Sequence, residues 1–170
     1  MKKELVNIFG KVKYELVGPN GLIKQKGEFH NIVVNEGDNW LIEVLSGTIG
    51  ASMFASAFCH LGTGYSTGAS VKTVDWLITS LADSSRPVYT GYPRFKATDY
   101  NVLQFYFEFG AGEFTSAGID EAVIVSQRSI ASGTKPFSSK ILSFAEVTTA
   151  VNKDAADIFR LTWEITLLGS

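Results

Sequence analysis

Apolar and polar residues alternate along much of this chain, and the alternation is cleanest near its end, over residues 158–168. Phe159, Leu161, Trp163, Ile165 and Leu167 are all large and apolar, while Arg160, Thr162, Glu164 and Thr166 between them are charged or hydroxyl-bearing. A period of two sustained this long predicts a β-strand with one buried and one wet face. Slipping its register by one residue would expose a tryptophan and a phenylalanine, so the register is strongly specified. Residues 101–109 repeat the signal, with Leu103, Phe105, Phe107 and Phe109 on one face. Residues 119–127 carry apolar side chains on both faces, which predicts a strand in the middle of a sheet.

The remaining segments supply partners for these strands. Residues 5–16 alternate loosely through Ile8, Val12, Tyr14 and Leu16 and reach Gly18-Pro19-Asn20-Gly21, a dense turn signal. Residues 22–30 return with Lys24, Gln25, Lys26 and Glu28, so 1–30 reads as a hairpin arm whose second strand is a charge-guarded exposed edge. A helix is predicted over 36–46, capped by Asn35, with an apolar stripe of Trp40, Leu41, Val44 and Leu45 and a stop at Gly47. Residues 53–61 read as a strand. Val74, Leu77, Ile78 and Leu81 give 71–81 the spacing of a second helix, against its Thr and Val content. Strand-like segments at 86–90 and 92–97 are broken by Gly91 and Pro93, which places the latter strand at an edge or bulge. A penultimate strand over 140–149 and a turn at 152–157 complete the chain. About eight strands and one clear helix predict a single antiparallel β-sandwich domain over 1–170, jelly-roll-like in type.

Composition narrows the function classes. The 170 residues are 45% hydrophobic and 19% charged, with a net charge of −2, the balance of a globular domain long enough to bury a core. Nucleic acid is not an expected partner, because phosphate binding rests on clustered Lys and Arg. No apolar run of about 18 residues exists to span a membrane. Met1-Lys2-Lys3 resembles a signal-peptide start, but Glu4, Asn7 and Gly10 interrupt the apolar segment that should follow, which implies cytoplasmic synthesis. Cys59 is the single cysteine, so neither a disulfide framework nor a cysteine-based zinc site is available.

Candidate chemistry is sparse. Cys59 and His60 are adjacent on a strand and so point to opposite faces; a thiol dyad would need His30 to arrive from elsewhere. The two histidines lack a nearby carboxylate cluster with metal-ligand spacing. Gly62-Thr63-Gly64-Tyr65-Ser66-Thr67-Gly68 has the glycines of a phosphate loop without its Gly-Lys-Ser/Thr ending. Asp120 and Glu121 face apart on one strand, and Glu121 is expected half-buried beside a base such as Arg160. Tyr65, Tyr89, Tyr92 and Tyr100 lie in or near loops, where they either stack on sugars or close the ends of the sandwich. No catalytic, metal or cofactor set is read from these residues.

The order of signals is nevertheless informative. A hairpin runs into Asn31-Ile32-Val33-Val34-Asn35-Glu36-Gly37 and an apolar helix; a strand ends in Leu61-Gly62-Thr63-Gly64; later strands carry Glu121-Ala122 and Trp163-Glu164-Ile165. This arrangement resembles small structural proteins of tailed bacteriophage virions, those of tail fibres, baseplates, collars or the head surface. The resemblance implies a non-enzymatic assembly protein made in the bacterial host cytoplasm and located in the virion. Its implied partners are other copies of itself, as a trimer by analogy, and other virion structural proteins. The loops at 62–70, 110–118 and 128–139 are then the expected contacts, with Tyr65, Tyr92, Tyr100 and Phe114 as interface residues. A carbohydrate-binding sandwich used in host adsorption is the alternative, and an enzyme with a site assembled from distant residues is a third.

Overall fold

The computed structural model describes residues 6–48, 50, 52–63, 80, 81, 86, 87, 89, 92–126 and 141–169. In chain order these form β1 (Val6–Val17), β2 (Ile23–Val33), α1 (Asn35–Leu45), α2 (Ser52–Ala55), β3 (Phe58–Thr63), β4 (Ser80–Leu81), β5 (Arg86–Pro87), β6 (Arg94–Lys96), β7 (Asp99–Phe109), β8 (Ser116–Val125), β9 (Ile141–Lys153) and β10 (Ile158–Gly169). All the strand pairings among the described residues are antiparallel. The strands follow the order β4-β3-β8-β9-β2-β1-β10-β7-β6, with β5 pairing on β3. The expected antiparallel sandwich is therefore present, and its two layers are the halves of one continuous sheet.

The alternating strands line up in transverse rows. Phe29, Val12, Trp163 and Phe105 stand side by side across β2, β1, β10 and β7. The next rows bring Tyr14, Leu161 and Phe107 together, then Leu16, Phe159 and Phe109. Each of these side chains is buried, and all belong to one core with Cys59, Leu61, Ile119, Ala122, Ile124, Leu142 and Ala145 from the other half of the sheet. Cross-strand aromatic and β-branched neighbours of this kind stabilise a sheet by roughly 0.2–1 kcal/mol per pair. β10 lies between β1 and β7 and contributes to every row.

The sheet turns on itself where β2 meets β9, through only three residue pairs, Asn31↔Ala145, Ile32↔Phe144 and Val33↔Ser143. One row crosses this crease, running Leu61, Ala122, Ala145, Asn31, Gly10, Ile165 and Leu103 from β3 to β7. Small residues, Ala122, Ala145 and Gly10, flank Asn31 in its middle. A Cβ at Gly10 would collide with the Asn31 side chain, so the glycine is what admits a polar residue there. Asn31 donates from Nδ2 to the Ser143 hydroxyl, and Ser143 donates in turn to the Ile32 carbonyl at 2.9 Å. Before the crease, residues 23–30 of β2 pair with β1 alone among the described strands, and their Lys24, Lys26, Glu28 and His30 are exposed.

Helix α1 packs over the crease. Val34 donates its N–H to the Leu142 carbonyl at 3.4 Å, and the Ile141 N–H donates to Glu36 Oε2 at 2.8 Å. A Cβ at Gly37 would run into the same Leu142 carbonyl. The helix begins at Asn35 with no side-chain cap, so Asn35 is its first residue rather than the predicted cap. It ends as predicted at Gly47, whose φ is +72°. Gly47 donates to the Val44 carbonyl at 3.1 Å and Thr48 to the Glu43 carbonyl at 2.9 Å, a Schellman closure. Trp40 is wholly buried and touches Phe54 of α2 at 5.2 Å between ring centroids; Phe54 in turn meets Phe105 edge-on at 6.1 Å. The two helices thus close one end of the sandwich.

Three local expectations change. Residues 52–55 are a short helix, and the strand predicted from 53 begins at Phe58, because Phe54 is used to bridge Trp40 and Phe105. Glu121 is fully buried rather than half-buried, and Arg160 donates instead to Glu108 of the adjacent strand at 2.9 Å. Of the predicted second helix, residues 71–79 lie outside the described residues, and Ser80–Leu81 form β4. β8 keeps its predicted character: Ala122 and Ile124 enter the main core, and Val123 and Val125 join a smaller cluster with Val34, Ile141 and Phe144 on the opposite face.

Gly37→Ala tests the helix docking. Helix propensity alone would favour alanine by about 1 kcal/mol, but a Cβ forced against a strand carbonyl costs roughly 1–3 kcal/mol because backbone cannot give way. The variant is expected to lose stability in a urea titration. A stabilised variant would mean that α1 does not rest on β9.

Candidate functional site

A concavity opens beside the helical end of the sandwich. It is a groove of about 400 Å³ bounded by α1, α2, the β6–β7 hairpin and the end of β10. Leu41, Val44, Phe54 and Leu103 line its inner part, and Leu45, Phe95, Tyr100 and Leu167 stand at its rim. Each has a topological reason to be here. α1 presents Leu41, Val44 and Leu45 at helical spacing, but Leu45 lies beyond the reach of the core and is 78% exposed. Leu167 continues the alternation of β10 past Ile165, where the opposite layer no longer covers it. Phe95 sits on the three-residue edge strand β6.

The groove lining is mostly apolar, with Arg94 and Asn101 its polar members, and further polar groups lie beside it on β6, β7 and β10. Lys96 binds Asp99 at 2.9 Å and approaches Glu164 at 3.8 Å, and Gln104 donates to Glu164 at 2.7 Å. The Arg94 guanidinium lies over the Tyr92 ring at 4.4 Å, a cation–π contact. The Asn101 amide donates to the Leu167 carbonyl at 3.0 Å and ties β7 to β10 at the rim. Outside this margin Tyr106 is flanked by the rings of Tyr89 and Tyr92 at 5.4 and 5.6 Å. Burial, reinforced by a hydrogen bond to the negatively charged Glu108, pushes the Tyr106 phenol up to about 12, so it stays protonated.

The structure brings Tyr92 and Tyr100 together on this groove. Phe114 lies at the other end of the sandwich, edge-on to Phe109, about 30 Å along β7 from Tyr100 at the strand rise. Tyr65 lies outside the described residues. The rim residues Leu45, Phe95 and Leu167 carry no distinguishing sequence signal of their own, apart from Phe95 standing between two cations on an edge strand.

The end holding Phe114 is polar and closed. Lys153, almost fully buried, donates to the Phe114 and Asp154 carbonyls at 3.1 and 3.3 Å, with its ammonium 4.9 Å from the Phe114 ring centre. Asp157, fully buried, accepts from Lys24 at 2.8 Å and from the Asp154 N–H at 3.2 Å. The β1–β2 and β9–β10 turns are thereby locked together. Lys24 holds the Asp157 carboxyl below the usual carboxylate range, against the opposing effect of burial, and is itself raised by Asp157 and Asp154.

The candidate catalytic pieces do not converge. Cys59 is buried in the main core, its thiol 3.8 Å from the His60 carbonyl, while His30 is exposed on β2. Among the described residues no group of three or more His, Cys, Asp or Glu is disposed to hold a metal ion. No helix among them is long and apolar enough to cross a membrane. The chain matches no protein-family model, no curated protein and no solved structure.

The turn lock sets a pH dependence. Asp157 has a depressed pKa in the fold, so its contribution is present above the ordinary carboxylate value of about 3.9 and is lost as pH falls through that value towards the folded one. Lys24 has a raised pKa, so its contribution is present below the ordinary lysine value and is lost as pH rises through the raised one. Urea midpoints measured from pH 6 down to 2.5 are expected to fall less steeply for Asp157→Asn than for the wild type. Parallel curves would show that the lock carries no stability.

Proposed function

We propose that the chain is a non-enzymatic structural protein of a tailed-bacteriophage virion, a tail, collar, baseplate or head-surface component that self-associates and docks on other virion proteins. The observation that carries this reading is the groove: its lining is mostly apolar, rimmed by protruding leucine, phenylalanine and tyrosine side chains, with Arg94 its charged member. Such a surface suits protein contact, where aromatic anchors surrounded by a polar rim dominate binding. The order of hairpin, helix, Leu61-Gly62-Thr63-Gly64 and closing Trp163-Glu164-Ile165 strand supports the phage context by resemblance. Charge offers no support for nucleic acid binding, the net value being −2.

A second reading, glycan binding during host adsorption, is favoured by one feature. Tyr89 is half exposed beside Tyr106, next to the Glu108–Arg160 pair, so a ring face and charged hydrogen-bonding groups share one surface. Glycan-array binding abolished by Tyr89→Ala would support it; no binding to any glycan would remove it.

Mass spectrometry of purified virions, produced by a phage whose genome encodes the chain, tests the primary reading. Peptides of the chain are expected in the particle at a constant ratio to the major structural proteins. Their absence from particles whose host lysate contains the chain would contradict it.

A further inference from the structure

The groove and the projections around it occupy the same face. Tyr100 is 83% exposed and Phe95 66%, and they stand with Leu45 and Leu167 around the recess floored by Leu41, Val44, Phe54 and Leu103. From their exposed fractions these four side chains present roughly 600 Å² of mostly apolar surface, at about 150–250 Å² for a whole aromatic side chain. One side of a standard protein interface contributes roughly 800 Å², and a monomer's largest apolar patch is normally about 300–600 Å². Two such faces meeting would bury roughly 1,200 Å², the lower end of the range for a specific interface.

Its shape selects the occupant. A projecting ring beside a recess on one patch is self-complementary: a copy turned by 180° offers a ring where the first has a recess and a recess where the first has a ring. This is the requirement for an isologous contact, in which residue i meets j and j meets i, and such a contact closes at two subunits. The margin fits the same operation. Lys96 and Asp99 form an ion pair beside Tyr100, so both signs of charge stand next to that ring, and a copy brings the same two signs across the axis. A partner of another kind would need a matching surface for which the molecule shows no template, whereas a second copy carries it.

We infer that this face is a two-fold contact between copies of the chain, with Tyr100 of each copy entering the groove of the other and Leu45, Phe95 and Leu167 packing around it. The inference rests on the self-associating role proposed above and adds its surface and symmetry. It departs from the trimer implied by the resemblance, because a ring of three is built from two different patches meeting head to tail.

Sedimentation equilibrium of the whole chain tests it. The wild type is expected at about 37 kDa, twice the 18.5 kDa chain. Tyr100→Ala and Leu45→Glu are each expected to weaken association by about 30-fold or more, the effect of losing an interface hot spot. Both side chains are exposed, so the far-UV circular dichroism spectra of the variants should match that of wild type and show the fold retained. Leu22→Glu, which alters an exposed leucine at the β1–β2 turn at the far end, is expected to leave the dimer intact. A wild type that stays monomeric at high concentration, a trimer, or a dimer that survives both groove variants overturns the inference. None of these outcomes bears on whether the chain is found in virions, so this inference and the virion reading fail independently.

Discussion

The burial of one face of β10 is the constraint on which the rest of the molecule depends. Phe159, Leu161, Trp163 and Ile165 are removed from water almost completely. Burying a large apolar side chain is worth about 1.5–3 kcal/mol, so no other strand register offers comparable stabilisation. Flanking β1 and β7 are held in matching register over twelve and eight pairs. Four strands with a common apolar face need a cover. β3, β8 and β9 provide it through Leu61, Ile124 and Val147. The covering layer belongs to the same sheet, so the fold had to include a bend.

That bend explains residues that otherwise look out of place. Ala122, Ala145 and Gly10 are small because they share a row at the crease with Asn31, a buried polar residue satisfied on its Nδ2 by Ser143. Residues 31–37 form the crease and the first turn of α1. Gly37 admits the Leu142 carbonyl, and Glu36 fixes the Ile141 N–H. The motif has a structural reason without any chemistry: it is where one layer becomes the other and where the helix is seated.

The strands around residues 101–109 and 158–166 were legible because large apolar side chains at period two leave no competing placement. The Gly18–Gly21 turn was legible because Gly21 takes φ +77° and the Asn20 carboxamide oxygen accepts from the Leu22 N–H at 3.1 Å, as its turn chemistry implies. The end of α1 was legible from Gly47 in the same way. The groove was not. Leu41 and Leu45 belong to one helical stripe, and Ile165 and Leu167 to one strand face, yet one member of each pair is buried and the other is exposed. What separates them is how far the opposite layer extends, which no local pattern encodes. Tyr100 and Phe114 are both aromatics near loops and read alike; the direction of β7 puts them at opposite ends. The short helix at Ser52–Ala55 escaped because its role is a long-range contact of Phe54.

The two ends of the sandwich have opposite characters. One is sealed by the Lys24–Asp157 lock and the buried Lys153; the other ends in an apolar groove. The two ends thus present unlike surfaces, and the central layer must be rigid to hold the groove in shape. Amide hydrogen exchange measures that rigidity directly. The amides of residues 161–165 are expected to exchange only through global unfolding, together with those of residues 11–15, while amides on the unpaired edge of residues 23–30 exchange far faster. If the amides of 161–165 exchanged as fast as those of the edge, β10 would not be the strand that holds the two layers together.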